Sequence, residues 1–196
     1  MQDRLPPLPA ERLTKAQRAV AEAIARGPRG GVYGPFVPLL RSPELADCAQ
    51  QMGEYLRYRS AIGTRLSELA ILVIAREWSQ AVEWSIHMPI AEQTGIARST
   101  IAAIAAGRRP DAMNDDEAMI YDFCVELGRD KGVSDANYGR VLARFGERGV
   151  VDLAGINGYY TLLAMVMNVA GTPATTTPPV QLAPLKNPGP TAPTAR

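Results

Sequence analysis

Apolar positions recur along this chain with the three-to-four-residue spacing of helices, and no stretch alternates with the period of two that marks a strand. The pattern predicts an all-α protein. Thr14 and Gln17 form a capping-box-like start, and Ala19, Val20 and Ile24 then share one face up to Gly27 and Pro28, which end a first helix. Residues 27–40 hold four glycines and three prolines, too many breakers for regular structure, yet Val32, Tyr33, Phe36, Val37 and Leu39 among them are apolar. A loop of this kind folds over a core or rims a pocket, and the rim is the reading adopted. Ser42 as N-cap with Pro43 behind it opens a second helix. Its inward face is expected to carry Leu45, Cys48, Ala49, Met52 and Leu56, and it ends in the polar run Arg57, Tyr58, Arg59, Ser60.

Residues 69–75 contain no polar side chain, and a helix that is apolar all round belongs in a core. The predicted helix spans 64–78, with Glu68 entering the apolar block. A further helix runs through His87 to Gly95, and Pro89 inside it removes the bond that the Ser85 carbonyl would accept, so a kink is expected near His87. A short Ala-rich helix follows, closed by Gly107. Asn114 caps the next, which buries Ile120, Phe123, Cys124 and Leu127, and Ser134 caps another carrying Tyr138, Val141, Leu142 and Phe145. Residues 150–170 form a second strongly apolar helix, the natural partner of the 69–75 block. Its Asn157, Tyr159 and Tyr160 are polar-tipped candidates for lining a pocket with His87. Beyond it, residues 171–196 hold seven prolines and six threonines, which cannot build a core and read as a disordered tail. The chain thus divides into an N-terminal arm over 1–11, one helical domain over 12–170, and the Pro/Thr-rich tail over 171–196.

Composition narrows the function. With 21 basic and 20 acidic residues the net charge is +1, and no basic block stands out, so neither nucleic acid nor an anionic membrane is an expected partner. No eighteen successive apolar residues occur and the N-terminus lacks an apolar leader, so the expectation is a cytoplasmic protein. Cys48 and Cys124 stand far apart and a single histidine is present, which leaves no metal-ligand cluster; free buried thiols are expected, with neither metal nor cofactor.

The chemistry concentrates in residues 67–95. At helical spacing Gln80, Glu83, Trp84 and His87 fall on one face, opposite Glu68. Buried carboxylates and imidazoles have perturbed acidity and gather at functional sites, so His87, Glu83 and Glu68 are the candidate catalytic groups. Solvated helix faces also carry Glu and His four apart, and the burial expected here is what favours chemistry. Arg57 and Arg59 are candidates to hold a carboxylate through their planar guanidinium groups, and Tyr33 to present a hydroxyl to a ligand.

The spacing from Glu68 to Gln80, Glu83 and His87 resembles the carboxymuconolactone decarboxylase family, whose all-helical fold is shared with the alkylhydroperoxidase D-like proteins. In the peroxidase branch a glutamate is followed by Cys-x-x-Cys and a histidine; here Gln80 and Glu83 occupy the two cysteine positions. Residues 40–45, 65–72 and 155–168 also look like the family, and the resemblance covers about 12–170. It implies a single-domain orthogonal helical bundle, a homo-oligomer (trimer or hexamer), and cofactor-free loss of carbon dioxide from a carboxylated muconolactone-like substrate. His87 would then be the general acid/base, Glu83 or Glu68 its orienting or relay partner, Gln80 a hydrogen-bond donor to a ligand oxygen, and Trp84 a neighbour of the substrate. Isomerisation or hydrolysis of a related dienoate, or ligand binding without turnover, are the alternatives. Disulfide-based peroxide reduction is the least favoured.

Overall fold

The computed structural model describes residues 2–183. Its helices are α1 (Lys15–Arg26), α2 (Phe36–Leu39), α3 (Pro43–Tyr58), α4 (Thr64–Glu77), α5 (Ala81–Gln93), α6 (Arg98–Ala105), α7 (Asp115–Asp130) and α8 (Asp135–Ala170), and no strand occurs among the described residues. The chain is all-α, as its periodicity predicts.

Helix α4 is the axle. Every residue from Leu66 to Arg76 is buried, and α3, α5, α6, α7 and α8 all pack against it. Capping follows the side-chain chemistry. Thr14 with Gln17 and Asn114 with Glu117 close reciprocal capping boxes, and the Ser134 hydroxyl accepts from the Asn137 amide. Three acids, Asp115, Asp116 and Glu117, sit in the first turn of α7, where the exposed amides favour negative charge.

Helix α8 is broken at Gly146, whose φ of 68° and ψ of −178° are not helical. Only glycine reaches that backbone region without strain, so the two helices expected from sequence meet at this residue. The segment is also the one helix among the described residues long and apolar enough to cross a bilayer by length and hydropathy, and half of its most apolar window is buried against the other helices.

Three expectations need correction. Residues 36–39, expected to be irregular, form the single turn α2, because Pro35 precedes it and Phe36, Pro38 and Leu39 bury against the core. On α3 the buried residues are Ala46, Ala49, Gly53 and Leu56, while Leu45 and Met52 are each 43% exposed and Cys48 is exposed. The small face wins because it lets α3 lie close to its neighbours; a Cβ at Gly53 would collide with the Tyr159 phenol of α8. Only Cys124 is a buried thiol.

The tail is the third correction. Through Ala183 it has no helix or strand, yet it is anchored: Trp84 Nε1 donates to Val180 O at 2.7 Å, Ala183 N donates to Ala105 O at 3.1 Å, and Val180 and Leu182 pack on the core. Its prolines forbid secondary structure but do not prevent docking through carbonyls and apolar side chains. The rest of the expected disordered tail, 184–196, lies outside the described residues. The N-terminal arm is likewise tied down, with Arg4 N donating to Ala170 O at 2.7 Å at the end of α8.

Candidate active site

Glu68 is placed early on α4 because the apolar block that follows it drives that helix into the core. His87, midway along α5, meets it there: His87 Nδ1 lies 2.6 Å from Glu68 Oε2, with the two residues 6% and 1% exposed. Arg57, in the last turn of α3, approaches the other oxygen, with Nη2 at 3.7 Å from Glu68 Oε1. One carboxylate therefore bridges an imidazole and a guanidinium delivered by two different helices. Burial pulls the Arg57 guanidinium down, but Tyr160 and the Glu68 carboxylate beside it raise it further, so it stays charged.

The imidazole also packs edge-on against Tyr160 with ring centroids 5.2 Å apart, and Tyr160 packs in the same way on Tyr159 at 5.1 Å. Nδ1 is committed to Glu68. The second ring nitrogen, Nε2, has no protein hydrogen bond among the described residues, and His87 lines a narrow cavity. Arg29 and Tyr33 from the loop before α2, Arg57, Glu83, Tyr159 and Tyr160 line it too. Ile86, Leu163 and Met167 complete its apolar wall. Its volume is about 20 Å³, the space of a single water.

Glu83 is 2% exposed, and neither carboxylate oxygen has a hydrogen-bond partner. Burial pushes its carboxyl well above the usual range, favouring the neutral acid. Burial likewise raises the Tyr159 phenol to about 12 against the pull of Arg29 and Arg57, so its hydroxyl keeps its proton at physiological pH.

Of the residues singled out from sequence, the structure brings together His87, Glu68, Glu83, Arg57, Tyr33, Tyr159 and Tyr160. Tyr33 lies at the mouth, 43% exposed, with its hydroxyl donating back to Arg29 O at 3.1 Å. Three others are placed elsewhere. Gln80 is the N-cap of α5 and so precedes its helical face; its Oε1 accepts from Val82 N at 2.7 Å and its Nε2 donates to Asn168 Oδ1 at 2.8 Å. Trp84, one residue and about 100° of turn past Glu83, faces the tail segment and bonds Val180. Arg59 follows α3 and is exposed, its guanidinium 5.6 Å from the Tyr55 ring.

Asn157 also lies away from the cavity, donating to Leu153 O at 2.8 Å and to Cys124 Sγ at 3.3 Å. Burial raises the Cys124 thiol to about 12, and neither cysteine lines the cavity. Arg29 carried no sequence signal beyond its place in the expected rim loop. Among the described residues no three His, Cys, Asp or Glu side chains are grouped to hold a metal ion.

No protein-family model and no curated protein matches the chain.

Proposed function

We propose that this chain is a cofactor-independent carbon–carbon lyase that decarboxylates a small unsaturated carboxylate, of the kind its resemblance to the carboxymuconolactone decarboxylases implies. The observation that carries the reading is the buried His87–Glu68 pair facing a cavity beside the Arg57 cation. Loss of carbon dioxide sends the bond electrons into a conjugated carbonyl, and the resulting dienolate is protonated at carbon. Glu68 accepts the Nδ1 proton and fixes the tautomer, which leaves Nε2 to deliver a proton to the substrate or to take one from it. Arg57 neutralises a substrate oxygen while its contact with Glu68 holds the pair in place.

A lactone does not fit in a water-sized cavity, so entry requires the segment around Arg29, Tyr33 and Pro35 to move aside. That segment carries Gly30 and Gly34 at positive φ, and the ring of Tyr33 lies at the mouth. Closure over the substrate would exclude water, which strengthens every charge interaction inside.

The test is mass spectrometry of carboxylated muconolactones and related dienoates incubated with wild-type protein and with His87→Ala. Loss of one carbon dioxide with wild type, reduced about 10²–10⁴-fold in the variant, is the expected outcome. Full activity in His87→Ala would refute the assignment. A product of unchanged mass would favour isomerisation, which the same imidazole supports because an unblocked Nε2 beside a fixed Nδ1 can both remove and return a proton.

A further inference from the structure

Decarboxylation needs more than a proton carrier: negative charge develops on a substrate oxygen and must be met by donors already in place. Gln80, the sequence candidate for that task, is occupied at a helix N-terminus. The cavity offers other groups. Seven buried side-chain polar atoms have no well-aligned hydrogen-bond partner among the described residues, and four belong to residues lining this one cavity: Arg57 Nε, both Glu83 oxygens and the Tyr159 hydroxyl, which Arg29 approaches as a donor but whose own proton has no acceptor.

Leaving a buried polar atom unpaired is costly, so natural proteins keep few of them. The cavity has room for about one water, and a water makes only about three hydrogen bonds. The cluster is instead what a bound polar group would satisfy. Arg57 can only donate, and the neutral Tyr159 phenol has a proton to donate. Glu83 sits on α5 with no cation bonded to it, so it joins them as a donor when it carries its proton. Three donors lining one cavity suit an acceptor-only oxygen.

We propose that Glu83, Tyr159 and Arg57 form an oxyanion pocket that takes the carboxylate or enolate oxygen of a small unsaturated acid, with Glu83 donating as the neutral carboxylic acid. The pocket shares Arg57 with the His87–Glu68 proton carrier, while Glu83 and Tyr159 make no bond to that pair. The identity of the oxygen as an enolate rests on the lyase reading above; the binding of a carboxylate does not. The groups facing Glu83 are Arg29 and Tyr33 from the loop, Arg57 from α3, His87 on its own helix, and Tyr159 and Tyr160 from α8, with Glu68 of α4 behind His87. Its surroundings hold two guanidinium groups, and Glu68 is already paired to His87 and Arg57. An incoming anion therefore meets no unpaired negative charge as long as Glu83 is neutral.

The substitution of Glu83 separates the alternatives, because glutamine keeps the shape and a donor while removing the charge. Full-length protein is titrated by calorimetry at neutral pH with crotonate, a small unsaturated carboxylate, and with uncharged crotonamide. We expect crotonate to bind at least about tenfold more tightly than crotonamide, Glu83→Gln to stay within about threefold of wild type, and Glu83→Ala and Tyr159→Phe each to lose about tenfold or more. A Glu83→Gln variant that binds crotonate tenfold more tightly than wild type would mean an ionised, repelling Glu83, and the proposal would fall. Wild type that binds no crotonate, or prefers the amide, would overturn it equally. Tyr159→Phe tests the pocket independently of how well the Glu83 variants fold. Crotonate has no carboxylated lactone to break, so the two readings fail separately. Binding as described without lactone turnover removes only the lyase assignment. Lactone turnover with crotonate affinity unchanged in Glu83→Ala and Tyr159→Phe removes only the pocket.

Discussion

At the scale of single residues, Glu83 is the most informative side chain in the molecule. A carboxyl buried without a partner is held above its ordinary pKa because the charged form has lost its water. Between the unfolded pKa, near 4.5, and the raised folded one, the native state binds more protons than the unfolded chain. Stability contributed by Glu83 is therefore full below that window and is lost as pH rises through it, by up to about 1.4 kcal/mol per pH unit. Glutamine has no such proton to lose. Urea unfolding of wild type and Glu83→Gln from pH 5 to 8 should give a stability difference that shifts steadily in favour of the variant as pH rises. Parallel profiles would mean that Glu83 ionises freely in the native state. His87 and Glu68 behave differently: they are buried as a bonded pair, so removing either leaves the other stranded, which is the costly way to break such a contact.

At the scale of elements, the decisive feature is how closely helices approach. Gly53 on α3 leaves room for the Tyr159 phenol, which is one wall of the cavity, and an added methyl there would push the ring. Gly53→Ala should lower stability by about 1–3 kcal/mol through overpacking, offset in part by the better helix propensity of alanine, and should weaken crotonate binding by shifting Tyr159. Gly139, on the first half of α8 with nothing within 4 Å of an added Cβ, provides the contrast. Gly139→Ala should raise stability by about 0.5–1 kcal/mol and leave ligand binding untouched. Thermal melts of the two variants beside wild type check both signs at once. The tail segment belongs at this scale too. Arg76, buried at the end of α4, donates to the carbonyls of Ala105 and Ala183 and so ties the segment to α6 and to the central helix.

At the scale of the whole molecule, the second half of α8 is unusual for a helix with an exposed side. Residues 153–170 contain no charged side chain, and Val151 and Val169 are 69% and 68% exposed, with Met165 at 43%. Positions 151, 158, 165 and 169 lie on one stripe at heptad-like spacing, with Gly158 open enough for a backbone to come close. We expect a second copy of this chain to cover it, in line with the homo-oligomer that the family resemblance implies. Light scattering after size exclusion should report a mass above 21.1 kDa, and Val169→Glu should lower it. A monomer at every concentration would rule self-association out.

Hydrophobic periodicity by itself determined that the protein is helical and that residues 69–75 run through its centre, because a side-chain pattern with helical period and no polar face has one stable placement. It determined most helix starts as well, since caps such as Thr14 and Asn114 act on amides within three residues of themselves. It also brought Glu68, Glu83 and His87 forward, because acids and imidazoles inside apolar stretches are rare enough to notice. What it could not decide was orientation within an element and contact between elements. Whether α3 turned Leu45 or Ala46 inward depended on how near Tyr159 came, and Tyr159 is more than a hundred residues away in the chain. Gln80 and Trp84 share a nominal helical face with His87, but α5 begins one residue after Gln80, and a single step of about 100° turns Trp84 toward the tail. Proline content argued for a tail free of structure, and only the folded core supplied the carbonyl-seeking Trp84 and Arg76 that hold it. The pairing of Glu68 with His87, the cation of Arg57 beside them, and the unpartnered carboxyl of Glu83 exist only where α3, α4, α5 and α8 converge. Local sequence sets which groups are available, and tertiary packing decides which of them lose their water together.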